Sequence, residues 1–201
     1  MIADLVRSAT AEAHAELEGT LPLMDLALTL SQYRAIVGRF LGFIEPLEES
    51  VWAVRGISAT GLVEDQRRKA YLLRTDLGRL GLRDAEIHAV PRATHLPRIE
   101  SVPAAMGALY VTEGSTLGGQ LIKRHLMTTL GVERDSGAAY FSGYGQLTGR
   151  RWKEFLAALE NIEQTDADKV VASAVETFAC LGMWLTLAAT EIEGARSLLA
   201  R

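Results

Sequence analysis

Apolar residues recur at intervals of three and four through every long segment of this chain, and nowhere do they alternate with polar ones over the length of a strand. That rhythm restricts the fold to packed helices, an all-α class. Leu5, Val6, Ala9, Ala13 and Leu17 mark a first amphipathic helix over 5–17. Tyr33, Ile36, Val37, Phe40, Leu41 and Ile44 mark a second, with Ser31 as its expected N-cap and Pro46, which lacks the N–H a helix needs, as its expected kink. Ala70, Leu73, Leu77 and Leu80 define a third over 64–80, closed by Gly81. Pro91 and Pro97, with His88 and His95, read as a loop over the surface that holds at most a short helix at 84–89. Pro103 suits the first turn of a fourth main helix running through Met106, Leu109, Tyr110, Leu117, Leu121, Ile122, Leu126 and Met127 to Gly131. A Gly- and Ser-dense loop over 131–149 and helices over about 146–163 and 167–199 complete the chain.

The 201 residues, 48% of them apolar, suffice for one core, so one domain over 1–201 is expected. A net charge of −4 offers no basic footprint for nucleic acid or anionic lipid. Charges recur in every candidate helix, which argues against a membrane span, and Asp4 and Arg7 stand where a signal peptide would need an apolar stretch. Cys180 is the lone cysteine and has no disulfide partner within the chain. A cytoplasmic monomer is the expectation.

The fourth helix contains an oddity, the run Glu113-Gly114-Ser115-Thr116-Leu117-Gly118-Gly119-Gln120. Each glycine costs a helix about 1 kcal/mol relative to alanine, so three within one stretch cost on the order of 3 kcal/mol unless bare backbone is needed there. Two needs compete. Gly114 and Gly118, four apart, would admit the close crossing of another helix; or the helix lies over a broad flat ligand, with backbone replacing side chains against its face.

A partner for such a ligand is available in His14, with Arg7 seven residues before it and Glu18 four after, on one helical face. A rise of about 1.5 Å per residue puts Arg7 roughly 10 Å along the axis from His14, which suits a ligand coordinated at one end and acidic at the other. Glu18 could accept the free ring N–H of a metal-bound His14 and fix its tautomer. A solvated or structural histidine explains the same position equally simply, and spacing alone does not choose between the two.

The segment Arg7-Ser-Ala-Thr-Ala-Glu-Ala-His14-Ala-Glu-Leu-Glu18 resembles the proximal-histidine helix of the haem oxygenases. Ala108-Leu-Tyr-Val-Thr-Glu-Gly114-Ser-Thr-Leu-Gly118-Gly119-Gln120 resembles their distal helix. Gln32-Tyr33-Arg34 and Phe40 to Glu48 resemble the second helix of the same family, so the likeness spans most of the chain. It is nearest to the bacterial branch, which includes enzymes that supply chromophore to bacterial phytochromes. The resemblance implies a helical bundle holding haem between the first helix and a kinked distal helix. It implies His14 as the iron ligand and Glu18 as its hydrogen-bond partner, with Gly114, Gly118 and Gly119 along the distal face. Arg7 and Lys153 fall at positions where the family sets basic residues towards the haem propionates. The implied reaction takes haem to biliverdin, carbon monoxide and ferrous iron, consuming dioxygen and electrons from a ferredoxin or reductase.

One departure stands out. The animal enzymes carry an aspartate after the first distal glycine, where this chain has Ser115, so any water network must be built differently. The hydroxyls of Ser115 and Thr116 could hold water, although in helices such groups commonly bond back to a carbonyl one turn earlier. Lys153 reads equally as a solvated surface lysine, and His125 reads as a packing or surface residue. A second reading of the whole is a haem carrier or sensor without turnover. Enzymes using a reactive cysteine or a di-iron carboxylate site fit less well: Cys180 lies among Phe178, Ala179, Leu181 and Met183, and no Glu-x-x-His pair occurs.

Overall fold

The computed structural model describes the backbone of residues 1–199 and the side chains of residues 1–19 and 21–186. These residues form seven α-helices in order: α1 (Ile2–Thr20), α2 (Leu30–Trp52), α3 (Ala70–Arg79), α4 (Asp84–His88), α5 (Val102–Leu130), α6 (Thr148–Glu160) and α7 (Ala167–Leu199). Among the described residues there is no strand.

Helix α7 is the centre of the arrangement, with α1, α5 and α2 all packed along it. The closest approach is at Gly107, where a Cβ would collide with the Val170 carbonyl and the Ala174 backbone, so only glycine lets α5 and α7 meet. The stretch Gln164–Thr186 is long and apolar enough to cross a membrane by length and composition, with a mean hydropathy of 1.2. Here the buried side chains of Val170, Ala174, Phe178, Leu181 and Leu185 face the other helices, in one apolar core that also takes in Val6, Phe43, Leu73, Met106 and Phe155.

Helix ends follow local chemistry in some places and distant residues in others. The N-cap of α2 is Thr29 rather than Ser31, because Thr29 and Gln32 satisfy each other's backbone N–H groups in a capping box. Ser101 caps α5, and Gly131 ends it in the left-handed conformation at φ 66°. The start of α1 has no cap of its own; the N–H groups of Ile2 and Ala3 donate to the Glu160 carboxylate at 3.0 and 2.9 Å, which ties α1 to α6. Helix α3 begins at Ala70, not at 64, because Glu48 on α2 accepts from the N–H groups of Lys69 and Ala70 at 2.6 and 3.2 Å. Residues 64–66 form a separate 3₁₀ turn.

Pro46 leaves α2 helical through Trp52. The Gly42 carbonyl that Pro46 cannot satisfy is taken by the Ala93 N–H at 2.9 Å, and the bare Gly42 backbone admits Pro91 beside it. The stretch 91–97 thus packs on α2, with Ala93 and Pro97 buried, rather than looping freely. The Gly- and Ser-rich stretch after α5 is buried from Gly137 to Gly143. Asp76 on α3 holds it by accepting from the N–H groups of Ala139 and Tyr140, each at 2.8 Å, and the Tyr33 hydroxyl donates to the Gly137 carbonyl at 2.8 Å.

Candidate functional site

Helices α1 and α5 both lie on α7 and scarcely touch each other. Two links set their register. At one end Tyr110 on α5 lies within the electrostatic reach of Arg7 and Asp4 on α1. At the other, His125 Nε2 on α5 lies 3.1 Å from the carbonyl of Asp25, just beyond α1. Along their own helices, His14 and the glycine run each fall between these links. His14 is more than half exposed, its ring edge-on to buried Phe178 at 5.8 Å between centroids, and among the described residues its Nε2 has no hydrogen-bond partner. Its Nδ1 faces the Glu18 carboxylate at 3.7 Å.

On the facing helix the three glycines serve different ends, because successive residues point about 100° apart around the axis. A Cβ at Gly118 would meet nothing within 4 Å, so this position faces open space. One at Gly114 would touch only the Trp152 ring, at an ordinary 3.8 Å. At Gly119 it would strike the Phe141 carbonyl, so Gly119, expected to contact a ligand, is required instead by packing against 137–143. Helix α5 stays α-helical across the whole run.

The segment is braced immediately before Gly114. Glu113, 1% exposed, lies 2.6 Å from Arg67 and 2.7 Å from Lys69, each 2% exposed, and accepts from the Tyr144 hydroxyl at 2.7 Å. Arg67 also donates to the Arg151 carbonyl at 3.0 Å and pairs with Glu154 at 3.4 Å on α6. Burial, with the Glu113 carboxylate beside it, pushes the Tyr144 phenol far above its ordinary range. Burial also raises Glu48, against the pull of the Lys69 and Ala70 N–H groups. Charges this deep are tolerable only when paired and hydrogen-bonded, so the cluster clamps α5 to α6 and to the chain leading into α3.

The remaining expected residues are spread over α1, α5, α6 and α7. Arg7 is three-quarters exposed and paired with Asp4 at 2.9 Å, and Lys153 is exposed on α6, one residue from the Trp152 that touches Gly114. Ser115 is exposed, and its hydroxyl donates to the Thr112 carbonyl at 2.9 Å, as Thr116 does to Glu113 at 2.7 Å. His125 is engaged with Asp25 and lies 3.3 Å from the Thr129 hydroxyl, a packing role. Cys180 is buried, and burial, with Glu176 nearby, raises its thiol above the ordinary range.

The family model described as Heme oxygenase matches residues 1–186. This chain belongs to the haem oxygenase family. A relative named Heme oxygenase from Xanthomonas campestris pv. campestris (strain 8004) is 36% identical over 144 residues, which cover 69% of this chain and 76% of the relative. The fold is that of solved haem oxygenases. The enzyme from Synechocystis sp. PCC6803, solved in complex with heme, superposes with a TM-score of 0.76 at 16% identity, covering 99% of this chain and 97% of that one. The Leptospira interrogans enzyme gives 0.73 at 16% identity over 92% and 98%. Haem oxygenases are haem-degrading oxidoreductases, and the chain is an enzyme of that class.

Sequence reasoning missed the buried clamp, although one signal pointed to it. Met106, Leu109 and Glu113 continue a single helical stripe, so periodicity alone places a carboxylate in the core, where it demands cations. Which cations answer, Arg67 and Lys69, is set by the path of the chain before α3.

Proposed function

We propose that the chain opens haem to biliverdin, releasing carbon monoxide and ferrous iron, with dioxygen and electrons from a separate ferredoxin or reductase. One observation supports the reading: His14 is more than half exposed with its Nε2 unpartnered among the described residues, while α5 is left bare at Gly118. The residues fit a wide flat ring. The bare backbone at Gly118 would meet one face and the His14 imidazole the other, and the cations Arg7 and Lys153 lie on the helices α1 and α6.

Bound haem supplies the redox chemistry, and the protein supplies position and electrostatics. His14 Nε2 would hold the iron while Glu18, one turn on, would accept a hydrogen bond from Nδ1–H and so keep the lone pair on Nε2. Gly118 and Gly114 would keep side chains away from the open face, and Ser115 would offer it a polar edge. Arg7 and Lys153 would meet the propionates; the bond from Arg7 to Asp4 is exposed, worth about 1 kcal/mol or less, and so is readily exchanged. A bacteriophytochrome is the partner the resemblance suggests for the product.

The test is a visible-absorption time course of the chain with one equivalent of haemin and a reducing system in air, followed by chromatography of the products. Loss of the Soret band with biliverdin formed is the expected result. A haem spectrum that survives confirmed reduction in air would replace the enzyme reading with that of a carrier.

A further inference from the structure

The half of α1 that carries His14 is its less firmly seated half. Among the described residues of α1 the buried side chains are Ile2, Val6 and Thr10, all in the first half. Beyond them Ala13 and Leu17 are partly buried, and His14, Glu16 and Glu18 are exposed. The chain that follows α1 is held more tightly. Leu21, Leu23 and Leu28 are buried, and the turn they frame is knotted at Asp25. Its N–H donates to the Pro22 carbonyl at 3.1 Å, its carboxylate accepts from the Ala27 N–H at 2.8 Å, and its carbonyl accepts from the Leu28 N–H at 3.2 Å.

That carbonyl has a second lone pair, which is met from α5: His125 Nε2 lies 3.1 Å away. A carbonyl oxygen only accepts, so Nε2 carries the proton and donates, with the Thr129 hydroxyl 3.3 Å from the same nitrogen. His125 is partly buried and stands two turns beyond Gly118, about 10 Å along the axis of α5. The bond therefore ties the far end of α1 to the helix that carries the bare glycine.

We propose that His125 is a positioning residue for haem binding: by holding the Asp25 turn against α5 it fixes the far end of α1, and with it His14, at the spacing from α5 that the haem ring fills. The inference rests on the haem reading of His14. A ligating group has to stand within about 0.5 Å of its working position. On α7 the second half of α1 has the partly buried Leu17 and the edge contact of His14 with Phe178, and the anchored turn supplies the restraint that these leave out. The bond sets His14 in place before haem arrives, so haemin does not have to order the helix as it binds.

His125→Ala removes the donor and substitutes a good helix former. The experiment is a spectrophotometric titration of the full chain with haemin, for His125→Ala, His14→Ala and the double variant, with circular dichroism confirming the fold of each. His125→Ala should weaken haemin binding about three- to tenfold, the worth of one hydrogen bond in pre-organisation. In the His14→Ala background it should add nothing, because its effect runs through His14. His125→Gln, whose amide N–H can still donate to Asp25, should restore the affinity. Unchanged affinity in His125→Ala overturns the proposal, and so does an equal loss with and without His14, which is what a merely structural residue gives. If His125→Ala does not fold, His125→Asn, too short to reach Asp25, carries the comparison, and the same two results overturn it. Failure of the unaltered chain to bind haemin would instead overturn the haem reading on which the inference depends.

Discussion

Neighbouring glycines on α5 should respond to alanine with opposite signs. At Gly118 the added methyl enters open space, so Gly118→Ala removes a helix penalty of about 0.5–1 kcal/mol and introduces no contact that opposes it. At Gly119 the same gain is set against a collision with the Phe141 carbonyl, part of a buried backbone that Asp76 holds in place two residues earlier. Overpacking against backbone that cannot yield costs about 1–3 kcal/mol, which leaves Gly119→Ala less stable by roughly 1–2 kcal/mol. The two variants then differ by about 2–3 kcal/mol, or roughly 5–10 °C in Tm for a chain of this size. The assay is thermal and urea unfolding of the haem-free protein followed by far-UV circular dichroism. Equal shifts, or a destabilised Gly118→Ala, would refute the assignment of one glycine to open space and the other to packing. Gly118→Ala should also weaken haemin binding while stabilising the empty fold, a division that a purely structural glycine would not produce.

His14→Ala is expected to abolish turnover and weaken haemin binding, with little change in the unfolding midpoint of the haem-free chain, since the ring is more than half exposed; full turnover in this variant would sink the proposal that His14 holds the iron. Glu113→Ala strands Arg67 and Lys69 without their shared carboxylate and should cost about 3–5 kcal/mol by urea unfolding. Glu45 is subject to burial, which raises its carboxyl, but bonds from Arg74 and Arg92 at 2.6 and 2.7 Å outweigh this and hold it below its ordinary range. A lowered folded value means stability that is present above the unfolded pKa and lost as pH falls through the folded one. Glu45→Gln should therefore destabilise by about 1 kcal/mol at neutral pH and converge with the unaltered protein in acid; urea midpoints that stay equally far apart at both pH values would contradict this.

The proposed haem site could be read from sequence because its parts are local. His14 and Glu18 lie one turn apart on a helix whose face is written in its own periodicity, and three glycines inside a strong helical pattern announce a cost that needs a reason. The helix order was legible for the same cause, as were the stop at Gly131 and the buried character of Cys180. Capping was less so: Ser31 and Thr29 are both plausible caps by type, and the reciprocal bond with Gln32 selects Thr29. The start of α3 could not be read locally at all, since the group that terminates it on that side is Glu48, 21 residues earlier.

Sequence by itself determined that this chain forms amphipathic helices, that one of them carries a histidine beside a carboxylate, and that another is weakened by glycine at a single place. The division of labour among those glycines belongs to the tertiary structure alone. Gly118 and Gly119 are chemically identical and adjacent, and only the return of residues 137–143 across α5 makes one a packing contact and leaves the other open. The same return sets Gly143 against Thr116 and leads into Tyr144, which closes the clamp around Glu113. Local periodicity reports which way a side chain points from its own helix axis; it holds no record of what the rest of the chain brings to meet it.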